Sequence, residues 1–450
     1  MQYKGFRFDI GGHRFFSKSQ EVEALWSEIL GDDLLQRPRL SRILYGGKFY
    51  SYPLKPLEAF YKLGPIESGL CFLSYLRARL FPVADPRTFE EWVSNQFGAR
   101  LFRMFFKTYT EKVWGISCRE ISADWAAQRI KGLSLWSAVK NGLRPAPRKA
   151  GGDVVKSLIH SFRYPRLGPG MMWEKCADRI CAMGGRVLLG CKVTACRFDA
   201  DLKRWSVEYS RSGGTSESIS ADHVISSAPL RELAASLSPP VSQQAAEAAA
   251  GLRYRDFMTV ALIVKDRGSL QDNWIYIHEP SVQVGRVQNY RSWSPEMVPD
   301  DAHSCYGLEY FCNEDDPLWK SSDSDLVALA ASELVKIGLA RREDVVDGCV
   351  VRQLKAYPVY DDAYARHVLT LRAELQRYPN MHLVGRNGMH KYNNQDHAMM
   401  TAMLTVENIA AGRQVYDVWR VNQDAQYHES GPAEEKKAAS VTAKPGGLRS

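Results

Sequence analysis

The stretch from Val384 to Met400 reads VGRNGMHKYNNQDHAMM. An apolar run, NMHLV, ends in Gly385 and Arg386. The segment that follows, DHAMMTAMLTVENIAAG, has the pattern of a small-residue helix closed by Gly412. Strand, turn and helix in that order make a seat for an anion, because backbone N–H groups and the positive end of the helix dipole converge there. Arg386 adds a guanidinium fork suited to phosphate oxygens. The run Asn393, Asn394, Gln395, Asp396, His397 puts more amide, carboxylate and imidazole groups before the helix than capping requires.

A second stretch, FRFDIGGHRFF (Phe6–Phe16), is an alternating strand pattern ending in a Gly-Gly turn that delivers His13. Phe15 and Phe16 are expected to anchor it. Two weaker signals lie between these ends. VISSAP (Val224–Pro229) is a strand reaching small residues, and FRYPRLGPGMMWE (Phe162–Glu174) puts a Gly-Pro-Gly turn before a helix.

The texture between them changes three times. Residues 19–149 are mainly of helical period, as in SQEVEALWSEIL, where Val22, Leu25, Trp26 and Ile29 share a face. RILYGGKFYSYP interrupts them as a strand pair around Gly46 and Gly47, and a helix pair is expected to break near Gly98. Residues 231–374 contain five strand-like runs and the helix SDLVALAASELVKIGL, which predicts an antiparallel sheet. The α/β texture occupies 1–18, 150–230 and 375–415, and 425–450 has the composition of a disordered tail. The fold class is therefore α/β: a Rossmann-like domain of discontinuous segments, with a helical insertion and an antiparallel-sheet substrate domain.

The 450 residues carry a formal net charge of +8, with 45% hydrophobic and 24% charged residues. No basic stripe with interleaved aromatics points to nucleic acid, and no apolar run is long enough to span a bilayer. The nine cysteines form no C-x-x-C pair, so no metal site is read from them. With no secretory pattern at the start, a cytoplasmic location is the default expectation.

FRFDIGGHRFF, KVWGISCREISADWAAQRI, FRYPRLGPGMMWE, ADHVISSAP and VGRNGMHKYNNQDHAMM occur in the order seen in flavoproteins of the amine-oxidase superfamily. That group includes protoporphyrinogen oxidases and UDP-galactopyranose mutases, and the motif detail resembles the mutases most. The resemblance implies an FAD cofactor, with NAD(P)H as a candidate external reductant. It implies that Gly11, Gly12 and His13 lie against the flavin ring and that the backbone of Val193 meets the adenine. Gly385 and Arg386 would bind the pyrophosphate; Asn394, Gln395 and Asp396 would face the ring edge. From the mutases, Arg129 and Arg286 would grip the diphosphate of a nucleotide sugar, with Tyr357 and Tyr392 hydrogen-bonding its phosphates. The alternatives are a conventional FAD oxidoreductase that passes a hydride from substrate to flavin, and a chain unable to hold flavin. The last arises because such proteins open with a strand, a G-x-G-x-x-G turn and a helix, and no G-x-G-x-x-G occurs here. The expectation is that the first strand, first helix and second strand of the cofactor domain are missing, and that the chain as written retains flavin poorly.

Overall fold

A computed structural model describes residues 1–123, 161–211, 213–268, 270–378 and 380–422. Arg129 and the tail from 425 lie outside the described residues. The centre is a seven-stranded sheet in the order Val345–Pro358, Tyr254–Lys265, His303–Cys312, Arg286–Asn289, Trp274–Ile277, Ser41–Tyr45, Lys48–Ser51. All five strand-like runs of the 231–374 region appear in it, and neighbours among those five pair antiparallel. Tyr254–Lys265 and His303–Cys312 are buried along nearly their whole length, so alternation gives way to continuous apolar sequence, as in sheets covered on both faces. One cover is the helix Asp323–Lys336, whose Leu326, Ala330 and Leu334 pack on Leu262, Leu308 and Tyr310. The other is an aromatic layer in which Phe8, Phe162, Tyr164, Trp274 and Trp293 meet.

The Gly46-Gly47 hairpin forms as expected, with both glycines at positive φ. It does not stand alone in a helical insertion. Ser41–Tyr45 pairs parallel with Trp274–Ile277 and extends the sheet by two strands. Long-range pairing of this kind leaves no local trace in sequence.

Helices from the 19–149 region pack beside the sheet. Gln20–Leu30 is capped by Ser19 and buries Val22, Trp26, Ile29 and Leu30. Phe89–Phe97 starts with a Thr88/Glu91 capping box and ends at Gly98, whose φ is 83°. A Cβ at Gly98 would lie 2.7 Å from the backbone N of Tyr75, so the break needs glycine for both conformation and contact. The helix Thr108–Trp114 ends at Gly115. There the buried Arg255 donates to the carbonyls of Val113 (3.3 Å), Lys112 (3.4 Å) and Phe311 (2.6 Å), tying the helix C-terminus to the sheet.

The α/β part holds a parallel pair, Val224–Ser226 with Met381–Leu383, and a four-stranded sheet in the order Leu237–Ser238, Cys191–Asp199, Arg204–Arg211, Ser216–Ala221. The strand read in VISSAP is confined to Val224–Ser226, and Ile225 is exposed. Leu383 leads into Gly385 (φ 77°) and then the helix Gln395–Ala410, closed by the Gly412 N–H on Ile409. Leu230–Ser236, Gln243–Ala250 and Tyr364–Leu375 share one apolar cluster with these strands, although the sequence did not single them out. The architecture is mixed α/β with a large, mainly antiparallel sheet. No helix among the described residues is long and apolar enough to cross a membrane.

Candidate functional site

His13 is delivered by two glycines with different tasks. Gly11 has φ 107°, which side-chain-bearing residues rarely adopt. A Cβ at Gly12 would lie 2.7 Å from Gln288 Nε2, so the chain passes a buried side chain of the sheet at backbone distance. The turn is held below by Tyr290, whose hydroxyl donates to the Asp9 carbonyl (2.6 Å). The Asp9 carboxylate accepts from the His13 backbone N (3.2 Å) and from Nδ1 (2.9 Å). A carboxylate only accepts, so the Nδ1 proton is fixed and Nε2 remains for a ligand. Burial lowers the pKa of His13, but the charge and hydrogen bond of Asp9 outweigh it against the opposing Arg386 and Arg286, and the net shift is upward.

The imidazole lines a cavity of about 300 Å3 with Lys355, Tyr357, Arg386, Asn387 and Gln353, and with apolar walls from Ile10, Phe257 and Ala356. No carboxylate is among these lining residues. Lys355 is neutralised by Glu232 at 2.7 Å. Arg386 is not neutralised: Nε donates to the Asn393 carbonyl (2.9 Å) and Nη1 to the Ala356 carbonyl (3.0 Å), and no carboxylate pairs with it among the described residues. Its guanidinium lies 5.2 Å from the ring centre of Tyr357 and 4.9 Å from that of Tyr392. The two tyrosine rings are nearly parallel, 5.8 Å apart. Arg386, assigned by sequence to the cofactor, and Tyr357 and Tyr392, assigned to the substrate, thus form one cluster. Burial, with Tyr392 beside it and Arg286 and Arg386 opposing, pushes the Tyr357 phenol up to about 12, so at neutral pH it is a hydrogen-bond donor.

Arg286 is paired within the sheet. It stands opposite Glu309 in the sheet, and its Nε and Nη2 both reach Glu309 Oε2 at 2.5 Å. Gln288 Nε2 donates to the other carboxylate oxygen (2.7 Å), and Glu309 is fully buried. Burial lowers the pKa of Arg286, but Glu309 more than restores it, so the guanidinium stays charged. The expected diphosphate grip therefore meets an internal counter-ion: the pair is neutral as a unit, and the Nη1 edge is what it offers a ligand. Tyr109, from Thr108–Trp114, stacks on His278 (5.1 Å) and meets Tyr276 edge-on (5.2 Å) in the same neighbourhood.

At the helix N-terminus two backbone N–H groups are taken within the chain. The Gly385 N–H, expected to face an anion, donates to Thr401 Oγ1 (2.9 Å). Asn394 is the N-cap, and its backbone N–H is taken by His397 Nδ1 (3.1 Å). Asp396 is buried, its pKa raised to about 6 by that burial, with Ser17 Oγ 3.4 Å away. Gln395 Oε1 and Asn387 Oδ1 are buried with no hydrogen-bond partner among the described residues, which is costly unless a ligand supplies a donor. Val193 lies exposed on Cys191–Asp199, in the four-stranded sheet, and does not line the cavity.

Sequence reading missed Asp9, Gln288, Glu309, Tyr109, Gln353, Asn387 and Lys355. Glu309 had a signal: it is the one charge in the apolar run CYGLEYF, and a buried charge implies a partner. Asp9 precedes His13 by four residues across the glycine turn.

The fold has known counterparts. A solved structure of reduced UDP-galactopyranose mutase superposes with a TM-score of 0.78 at 22% identity, covering 94% of this chain and 89% of that one. A putative protoporphyrinogen oxidase from Exiguobacterium sp. 255-15 gives 0.67 at 16% identity, over 91% of this chain and 89% of that one. A putrescine oxidase gives 0.55 at 14%, over 92% and 90%. At these identities the likeness is one of fold. The family model described as "Flavin containing amine oxidoreductase" matches residues 1–402. With that match over most of its length, the chain belongs to the flavin-containing amine oxidoreductases.

Proposed function

We propose that this chain holds FAD and acts with it on a nucleotide-diphosphate sugar, in the manner of a UDP-galactopyranose mutase. The observation that carries the reading is the charge of the cavity. It presents an uncompensated Arg386 and no carboxylate among its lining residues. An amine substrate is a cation at neutral pH and is repelled by such a wall, whereas a diphosphate is attracted.

The residues fit a flavin nucleotide on two counts. The Gly11-Gly12 turn carries no side chains between Ile10 and His13, which both line the cavity. Gln395 Oε1 and Asn387 Oδ1 are buried acceptors without partners among the described residues. Arg386 keeps donors for a substrate phosphate beyond the two it spends on carbonyls. Gly11, Gly12, Asn387 and Gln395 are assigned to the cofactor, with Val193 retained for the adenine end, and Arg386, beside Tyr357 and Tyr392, is assigned to the substrate diphosphate. A reduced flavin supplies an electron-rich centre able to displace a diphosphate from an anomeric carbon. As that bond breaks, negative charge accumulates on the leaving oxygen. Arg386 and the Nη1 edge of Arg286 stabilise it, and the phenols of Tyr357 and Tyr392 donate to the phosphates. His13, its Nδ1 proton held by Asp9, presents Nε2 to the ligand side of the cavity.

The test is incubation of dithionite-reduced protein with UDP-galactofuranose, followed by chromatography for the pyranose. Isomerisation supports the reading. Hydrogen peroxide released steadily from an amine or a porphyrinogen, with no isomerisation, replaces it by an oxidase. Flavin absorbance measured on the same sample reports cofactor binding separately.

A further inference from the structure

We infer that the outward side of two consecutive helices, Pro56–Leu63 and Pro65–Leu80, is a docking surface for an anionic lipid membrane. The longer helix has the pattern of a soluble helix turned inside out. Its inward residues are small, Ser68 and Cys71, and the Ser74–Tyr75 backbone lies against Gly98. Ile66, Leu70, Leu73 and Leu80 recur at spacings of four, three and seven, which places them on one face, and all four are exposed, Ile66 at 81% and Leu80 at 72%. The shorter helix repeats the inversion, with Ala59 buried while Phe60 and Tyr61 project at 57% and 86%. Contiguous exposure of this kind marks a surface that is covered in use.

Charge selects the cover. The two acidic residues of these helices are occupied within the chain, Glu58 by Lys62 and Glu67 by Arg100. Lys55, Arg77 and Arg79 are exposed and have no ion pair among the described residues. Arg77 falls in the last turn of the apolar stripe itself. A second copy laid on this face would bring like charges together and offer no unoccupied carboxylate from these helices. An interface of lipid phosphates offers anions to the guanidinium groups and apolar depth to the leucines, as for helices that lie in a bilayer surface. No described helix spans a membrane, so the association is peripheral and independent of what the cavity turns over.

Flotation of the full chain with phosphatidylcholine vesicles containing phosphatidylglycerol, and with pure phosphatidylcholine, tests this. Wild type is expected to float with the anionic vesicles and to be released by salt. Ile66→Glu with Leu73→Glu abolishes flotation. Arg77→Glu with Arg79→Glu weakens it about twentyfold or more, since each basic residue at an anionic surface is worth roughly fivefold. All four positions are exposed, and unchanged circular dichroism melting verifies that the variants fold. Absence of flotation in wild type overturns the inference, as does equal binding to both vesicle types. So does a dimer, seen by light scattering, that Ile66→Glu with Leu73→Glu dissociates without any vesicle binding; a second copy would then be the occupant.

Discussion

Replacing Glu309 by Gln tests the central claim about the site, that Arg286 is held by an internal counter-ion. Glu309 is fully buried and accepts from Arg286 Nε and Nη2 and from Gln288 Nε2. Glutamine keeps the shape but has one accepting oxygen in place of two and no charge. One of the three donors then faces an amide NH2, and the Arg286 guanidinium, 17% exposed, loses its compensation. Removing one partner of a buried pair costs about 3–5 kcal/mol. At about 2 °C per kcal/mol for a large chain, the melting temperature falls by roughly 6–10 °C. Replacing both partners, Arg286→Met with Glu309→Leu, leaves no buried charge, and the donor it strands is the neutral Gln288 Nε2. Its cost is expected to be smaller than that of Glu309→Gln alone, because apolar replacement of a whole buried pair is often neutral. Differential scanning fluorimetry of the three proteins decides. A Glu309→Gln variant within about 1 kcal/mol of wild type, or a double variant worse than the single, refutes the assignment.

Three further outcomes follow from the same geometry. Uridine diphosphate binding, read by calorimetry, weakens roughly 30-fold or more in Arg386→Met, as for a lost hydrogen bond between charged groups. It weakens less in the Arg286→Met, Glu309→Leu pair, because that unit was neutral; the opposite order removes Arg386 as the principal anion-binding group. Gly12→Ala drives a methyl into Gln288, which is buried and anchored on Glu309, and a urea midpoint is expected to show a loss of about 1–3 kcal/mol; no loss would mean that the turn stands off from the sheet. The Asp9–His13 pair predicts a pH dependence of defined sign. A histidine whose folded pKa is raised contributes stability that is present below its ordinary value of 6.5 and lost as pH rises through the raised one. The difference in melting temperature between wild type and Asp9→Asn should therefore shrink on going from mildly acidic to alkaline pH, and a difference that grows contradicts the pairing.

The parts of the fold legible in the sequence were those decided by neighbours along the chain. The five runs of the central sheet were visible because strands covered on both faces are apolar throughout. The Gly46-Gly47 hairpin and the breaks at Gly98 and Gly412 were visible because a positive φ selects glycine locally. What stayed hidden was decided across the chain. Nothing in RILYG says that it pairs in parallel with a strand more than two hundred residues away, so the hairpin read as part of a helical insertion.

The site divides along the same line. His13, Arg286, Tyr357, Arg386 and Tyr392 were named from motifs, and the structure brings Tyr357, Arg386 and Tyr392 into ring contact, with His13 on the wall of the same cavity. Their roles were not legible, because a cation's role depends on what compensates it. Arg286 and Arg386 are equivalent as letters. One faces a buried carboxylate across a sheet register and the other faces two backbone carbonyls. A carbonyl orients a guanidinium without cancelling its charge, whereas Glu309 cancels it. The free positive charge of the cavity therefore resides on Arg386, at the end of the strand that carries the glycine turn, and the register of the central sheet settles this.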